Sequence, residues 1–279
     1  MLDERLGLAG RVVIVAGAGG GGIGTAVCRL VAEAGAWVAA VDIDPERLAV
    51  TEQALAGRTH SAIVADVRVQ DEVDQAVAEA ARLGPLHGLV HVAGGLRPEQ
   101  WAPLLDTSTA TFDDVVRLNL HAARLTSTAT ARHLVECGTS GSIVHIASIA
   151  ALSAMPFGAA YSAAKAGLLA LTRTAAVEWA RHGIRVNAVA PGTVRTPRNA
   201  ATSPEDTDTD RAAIPLRRRG VPDDVAGPVV FLLSDLAGFV TGQVLAVDGG
   251  SSVKPSYLDD DDFPVFVRDE ALRSRLRQI

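Results

Sequence analysis

Short runs of β-branched and small apolar residues alternate along this chain with longer stretches whose apolar positions recur every three to four residues. The first kind reads as buried strand and the second as amphipathic helix. The pattern predicts strands over Arg11–Ala16, Trp37–Asp42, Ser61–Asp66, Leu86–Ala93, Ser142–Ala147, Ile184–Ala190 and Gln243–Val247. It predicts helices over Ile23–Ala34, Pro45–Leu55, Gln70–Arg82, Thr111–Val135, Ala159–Ala180 and Asp223–Leu233. Gly35 is placed to stop the first helix, and Pro45 and Pro222 are placed to open theirs. Residues Gly192 to Val221 carry no strong period. Strands alternating with helices argue for an α/β fold, a single doubly wound parallel sheet of about seven strands with helices on both faces. Such a sheet binds ligands at the carboxyl ends of its strands. One domain is expected over residues 1–251. Residues 252–279 look like an extension, with Pro255, the acidic run Asp259–Asp262, Pro264 and a short basic helix over Asp269–Arg277.

Composition narrows the classes. Hydrophobic residues make up 48% of the chain and aromatics 4%, so the core is built of Ala, Val and Leu. The charge of −6 leaves no basic footprint for nucleic acid. The two cysteines, Cys28 and Cys137, lie in separate helical segments and suggest neither a metal cluster nor a disulfide framework. No basic–apolar leader and no apolar run of ~20 residues is present, so a cytoplasmic protein without a membrane span is expected.

Composition also singles out one stretch, Tyr161-Ser162-Ala163-Ala164-Lys165. The chain has only two tyrosines and two lysines, and this stretch holds one of each. On a helix, i and i+4 share a face. An ammonium beside a phenol lowers the phenol's pKa from ~10 and makes it usable in proton transfer. A second stretch, Gly17-Ala18-Gly19-Gly20-Gly21-Gly22-Ile23-Gly24, joins the first strand to the first helix. In that context Gly17, Gly22, Ile23 and Gly24 suit a pyrophosphate held by backbone N–H groups at a helix N-terminus. Asp42 ends the second strand, eighteen residues past Gly24. A carboxylate there accepts hydrogen bonds from a ribose 2′-hydroxyl and repels a 2′-phosphate, which favours NAD over NADP. Asp66 and Val67 end the third strand in a similar way. They suit the adenine edge, with Asp66 as a plain turn former the competing reading.

Taken together these pieces resemble the short-chain dehydrogenase/reductase family over about Leu8 to Ser251, a Rossmann-type fold. Ser148 closes Ser142-Ile143-Val144-His145-Ile146-Ala147-Ser148, thirteen residues before Tyr161. Asn119, in Val116-Arg117-Leu118-Asn119-Leu120, matches the family's helix asparagine. Asn187-Ala188-Val189-Ala190-Pro191-Gly192 is similar to its NxxxPG, and Asp248-Gly249-Gly250 to its closing turn. The resemblance implies a catalytic group of Asn119, Ser148, Tyr161 and Lys165. It implies NAD contacts from Ala93 and Gly94 and, along the nicotinamide and pyrophosphate, from Pro191, Gly192, Val194 and Thr196. Tyr161 would take the hydroxyl proton as hydride leaves a secondary alcohol. Lys165 would hold the nicotinamide ribose, Ser148 the substrate oxygen, and Asn119 a water leading to Lys165. A homo-oligomer, dimer or tetramer, would follow from the family's habits.

Three departures stand out. The glycine loop is one residue longer than TGxxxGxG, with Ala16 for the threonine. His91-Val92-Ala93-Gly94 replaces NNAG. His145 replaces a common asparagine on the strand before Ser148. The two histidines are expected to be separate core residues bonded to backbone, with a polar bridge between them across the neighbouring strands the competing reading. No Arg or Lys is expected to reach a 2′-phosphate. Leu96, Trp101, Ile149, Leu152, Met155 and Phe157 would give an apolar wall suited to an alicyclic alcohol. Arg195 and Arg198, with the acidic Glu205–Asp210, mark the stretch where the family carries a substrate lid. Tyr257, Phe263 and Phe266 would anchor the extension at a subunit interface or near the site. No metal is expected from the consecutive carboxylates Asp259–Asp262. A 3-oxoacyl-thioester ketoreductase and a catalytically silent dinucleotide sensor are the competing functions.

Overall fold

The computed structural model describes residues 5–197, 206–255, 258, 261–262 and 264–277. The expectations placed on Arg198, Glu205, Tyr257 and Phe263, and on the side chain of Phe266, lie outside the described residues.

Among the described residues seven strands form one parallel sheet: β1 Val12–Ala16, β2 Trp37–Asp42, β3 His60–Val64, β4 Leu86–His91, β5 Gly141–Ile146, β6 Ile184–Pro191 and β7 Val244–Val247. Their order is β3-β2-β1-β4-β5-β6-β7. The direction of winding reverses between β1 and β4, so a crevice opens at the carboxyl ends of that pair.

Successive strand residues point to opposite faces, and each face has its own core. Val13, Val15, Val38, Val90, Val144 and Val189 pack with α1 (Ile23–Glu33) and α8 (Pro222–Leu233). Val12, Ile14, Ala39, Val41, Leu89 and Ile143 pack with α3 (Gln70–Leu83) and α5 (Ala122–Glu136). Val73, Ala76, Val77 and Ala80, the apolar stripe of α3, are all buried. Helix α2 is Pro45–Ala54, capped by the Asp44 carboxylate on the amides of Glu46 and Arg47. A smaller cluster, Ala123, Ala147, Leu168, Leu169, Ala188 and Ala190, joins α6 (Ala159–Trp179) to the sheet.

The sequence pattern differs from the structure in two places that matter. The expected single helix Thr111–Val135 is broken: α4 (Thr109–Val116) passes through a π-turn at Arg117–His121 before α5 begins. A π-turn adds one residue and shifts the helical phase only locally, in a stretch where helix continues on both sides, so the run of helix-forming residues does not reveal it. The patternless stretch after Gly192 contains α7 (Asp208–Ala213), fixed by a capping box between Thr207 and Asp210. The extension holds α9 (Val265–Arg268) and α10 (Glu270–Leu276).

Candidate active site

Helix α6 places Tyr161 and Lys165 one turn apart. It packs against the 3₁₀ turn Ile149–Ala151, which Ser148 caps by accepting a hydrogen bond from the Ala150 amide at 3.1 Å. Lys165 is 2% exposed. Its Nζ donates to the Ile146 carbonyl at 2.8 Å and lies 5.7 Å from the centre of the Tyr161 ring. Burial alone pulls the ammonium down to about 8, because a low-dielectric surrounding disfavours the charged form. Among the described residues Lys165 has no carboxylate partner.

Asn119 lies inside the π-turn and is fully buried. Its Oδ1 accepts from the Gly95 amide at 2.8 Å, and its Nδ2 donates to the Gly95 and Val115 carbonyls at 2.9 and 3.0 Å. The side chain thus clamps the turn after β4. The close packing explains the glycine before it. A Cβ on Gly94 would lie 2.7 Å from Asn119 Oδ1 and 3.2 Å from Lys165 Nζ. Only a residue without a side chain fits beside both groups.

The glycine loop is held from several sides. Gly17, at φ +85°, passes so close to β4 that a Cβ would meet the Ala93 amide at 2.5 Å. Gly19 donates to Asp42 Oδ2 at 2.9 Å, and Asp44 donates to Asp42 Oδ1 at 3.2 Å. Gly20 donates to the Arg47 carbonyl at 3.0 Å, and Gly21 to Thr25 Oγ1 at 3.0 Å. The Ala18 carbonyl accepts from Thr25 and Thr51. The additional loop residue is accommodated outward, against α2. The N-terminus of α1 at Gly22 carries no side-chain cap, so the backbone donors around Gly22, Ile23 and Gly24 suit an anion. Thr196 lies 3.9 Å from where a Gly22 Cβ would be, and Pro197 3.3 Å from the Gly21 position, so these two residues cover the loop.

Two expectations change. Arg47, five residues beyond Asp42 in sequence, folds its guanidinium back over Gly20 and points Nη2 at the Gly19 carbonyl at 3.4 Å. A cation therefore does stand over the glycine loop, with no ion pair to Asp42 among the described residues. Its place in the first turn of α2 was the available signal. His91 and His145 are register partners on β4 and β5, yet each bonds elsewhere. Thr126 pairs with His91 Nδ1 at 2.9 Å, while His145 spans Ser127 and Thr172 at 2.8 Å each. Their side-chain partners are hydroxyls of α5 and α6, and His91 also meets the Ala93 backbone. His91 Nε2 is buried without a partner. Burial holds both imidazoles neutral, His145 at about 3 and His91 well below its usual value, with Lys165 adding to the effect.

Asp66 sits just past β3, half-buried, and pairs with Arg68 at 2.7 Å, a hydrogen bond that holds its carboxyl below the usual range. Val67 is buried in the core, leaving its backbone for a ligand. Pro191 ends β6, Gly192 abuts Asp248, and Val194 pairs with Gly220 in an isolated bridge. The expected apolar wall comes from two loops joined by a hydrogen bond from the Ala102 amide to the Phe157 carbonyl at 3.1 Å. Trp101, Leu104, Leu152 and Phe157 are exposed there.

These residues fit a dinucleotide: uncapped amides at the start of α1, the Asp42 carboxylate beside the glycine loop, and a glycine at position 94 next to Lys165. The family model described as enoyl-(acyl carrier protein) reductase matches residues 17–252. A cis-4-hydroxycyclohexanecarboxylate dehydrogenase from Sinomonas cyclohexanicum is 41% identical, the match covering 86% of this chain and 96% of that protein. The crystal structure of levodione reductase is 31% identical with a TM-score of 0.81, covering 89% of this chain and all of that one. ElxO, solved with NADP bound, is 27% identical with a TM-score of 0.79, covering 87% of this chain and 98% of its own. The chain belongs to the short-chain dehydrogenase/reductase family, whose members are NAD(P)-dependent oxidoreductases of alcohol and carbonyl groups. Among the described residues no helix is long and apolar enough to cross a membrane.

Proposed function

We propose that this chain is an NAD-dependent dehydrogenase that interconverts a secondary alcohol and a ketone on an apolar, alicyclic substrate. The observation that carries the reading is the buried Lys165 ammonium, without a carboxylate partner among the described residues, one helical turn from Tyr161 and packed beside Gly94. Bound NAD⁺ would supply the acceptor for the hydrogen on the carbinol carbon. Tyr161 takes the hydroxyl proton, and Lys165 favours the phenolate electrostatically while reaching ribose hydroxyls. Ser148 holds the substrate oxygen by hydrogen bonding, so that the carbinol carbon stays aligned. Asn119 fixes the Gly94–Gly95 turn around Lys165 and so acts as a positioning residue.

Asp42 supports NAD. Its carboxylate is buried beside the glycine loop, where a 2′-phosphate would meet a like charge. Arg47 lies near enough to soften that repulsion, which makes the cofactor ratio worth measuring directly. The exposed apolar wall, with one relative named for cis-4-hydroxycyclohexanecarboxylate and a structural neighbour named for levodione, supports a cyclic alcohol.

NADH absorbance should be followed with alicyclic, terpenoid and sugar alcohols and with hydroxyacyl thioesters, NADP in parallel. Thioesters belong in the panel because the matching family model is described by acyl-carrier chemistry. Oxidation of a cyclic secondary alcohol with NAD preferred is expected; turnover of thioesters alone would overturn the substrate reading. Tyr161→Phe is expected to lower turnover about 10²–10⁴-fold while NADH binding, read by fluorescence, survives.

A further inference from the structure

The second lysine, Lys254, stands outside the site described above, yet its environment connects to it. Its Nζ donates to the Ala212 carbonyl at the end of α7 at 2.6 Å and pairs with Asp262 Oδ1 at 2.6 Å. Arg217, in a left-handed conformation at φ +61°, donates to the Arg211 carbonyl at 2.8 Å and pairs with Asp262 Oδ2 at 2.7 Å. Two cations thus satisfy the open carbonyls of α7, as suits a helix C-terminus, and one carboxylate from the extension joins both. Asp262 is itself in a left-handed conformation, φ +64°.

Helix α7 lies in the stretch between β6 and Gly220, whose described residues, 192–197 and 206–220, form a flap. Its base is closed by Arg195 N to Gly220 O at 2.8 Å and Gly220 N to Thr193 O at 2.9 Å. Its interior is tied by Arg195–Asp206 at 2.8 Å and Arg219–Asp210 at 2.6 Å. Its far side rests on the closing turn, where Cβ atoms on Gly249 and Gly250 would meet Ile214 at 2.6 Å and Pro215 at 3.1 Å. At its near end Thr196 and Pro197 cover the glycine loop. An unbroken series of contacts therefore runs from Asp262 through α7 and Arg195 to the face above the dinucleotide crevice.

We propose that the C-terminal extension is an intramolecular latch, in which Asp262 acts through Lys254 and Arg217 as a positioning residue that fixes the flap over the substrate. This rests on the dehydrogenase reading for its effect on turnover, but not for its effect on the flap. Such a carboxylate turns the acidic run into a structural device, with one of its members neutralised by two cations. The extension then works within its own subunit.

The experiment uses the full-length chain with Asp262→Asn, and Asp262→Glu as the conservative rescue. Amide hydrogen exchange over residues 206–219 is the first readout. Loss of the latch is expected to speed exchange there about tenfold while β1, β4 and β5 keep their protection, and Asp262→Glu restores most of the slowing. The second readout is kinetic: KM for the alcohol rises about three- to tenfold, with kcat and the NADH Kd within about twofold. Unchanged exchange over 206–219, or a rise spread evenly over the whole chain, overturns the latch. Faster exchange in the flap of a protein that oxidises no alcohol upholds the latch and rejects the dehydrogenase reading instead.

Discussion

The two lysines of this chain make the same primary contact and have opposite surroundings. Lys165 Nζ donates to Ile146 O at 2.8 Å, and Lys254 Nζ donates to Ala212 O at 2.6 Å. Lys254 also has the Asp262 carboxylate at 2.6 Å, keeps its head at the edge of solvent, and joins two pieces of chain. Lys165 is sealed between α6 and β5 with two neutral imidazoles nearby. A lysine placed for stability is given a counter-charge. A lysine placed to act on a neighbouring phenol and a ligand is kept without one, so its field is not cancelled before the ligand arrives.

Burial without a counter-charge has an energetic cost. The Lys165 ammonium falls from 10.5 to about 8, which corresponds to about 3 kcal/mol of native-state destabilisation at neutral pH. The sign follows from proton counting. Between about 8 and 10.5 the unfolded chain binds more protons at this site, so stability rises with pH through that window, and the penalty is fully present below it.

Lys165→Met gives the largest expected effect. Turnover should fall about 10³-fold. Thermal stability at pH 7 should nevertheless rise, by about 1 kcal/mol after the Ile146 carbonyl loses its donor, or about 2–4 °C in Tm. A variant that is both inactive and clearly less stable would break the comparison, because Lys165 would then resemble Lys254. Differential scanning calorimetry and NADH turnover check the two halves.

The neighbouring imidazoles come next. His145 is held neutral down to about 3, so the unfolded chain binds the extra proton between about 3 and 6.5 and stability falls as pH drops through that range. At pH 5 this site contributes about 2 kcal/mol of lost stability relative to pH 7. His145→Asn should therefore flatten the acid limb of a urea-unfolding series by about one proton. An unchanged limb would mean that the imidazole is already charged in the folded chain.

Lys254→Met should have the smallest effect, a loss of about 1 kcal/mol and about 2–4 °C in Tm, with the effect on catalysis confined to KM. If it reduced kcat as severely as Lys165→Met does, the division between the two lysines would fail.

The sheet was legible because its strands are short apolar runs bounded by glycine and aspartate, and Trp37–Asp42 was read to the residue. Tyr161, Lys165, Ser148 and Asn119 were legible as a spacing pattern, and the fold brings the loops and helices that carry them to one end of the sheet. What escaped depends on long-range partners. Asn119 reads as an ordinary helix residue, yet its π-turn turns it toward Gly95. His145 reads as a core histidine, but its two hydroxyl partners come from α5 and α6. Arg47 reaches the glycine loop only once α2 packs back on β2, β3 and α1. Asp262 is one of four consecutive aspartates, and nothing local distinguishes the one that meets Lys254 and Arg217.

Because the chain has only two lysines, the central claim can be read from one spectrum. Lysine labelled with ¹⁵N at Nζ gives two side-chain signals, assigned by their loss in Lys165→Arg and Lys254→Arg. Titration of the Lys165 signal in the free protein is expected to show a midpoint near 8. A midpoint in the ordinary lysine range, at ~10.4, would contradict the account of Lys165 as a buried ammonium kept without a counter-charge.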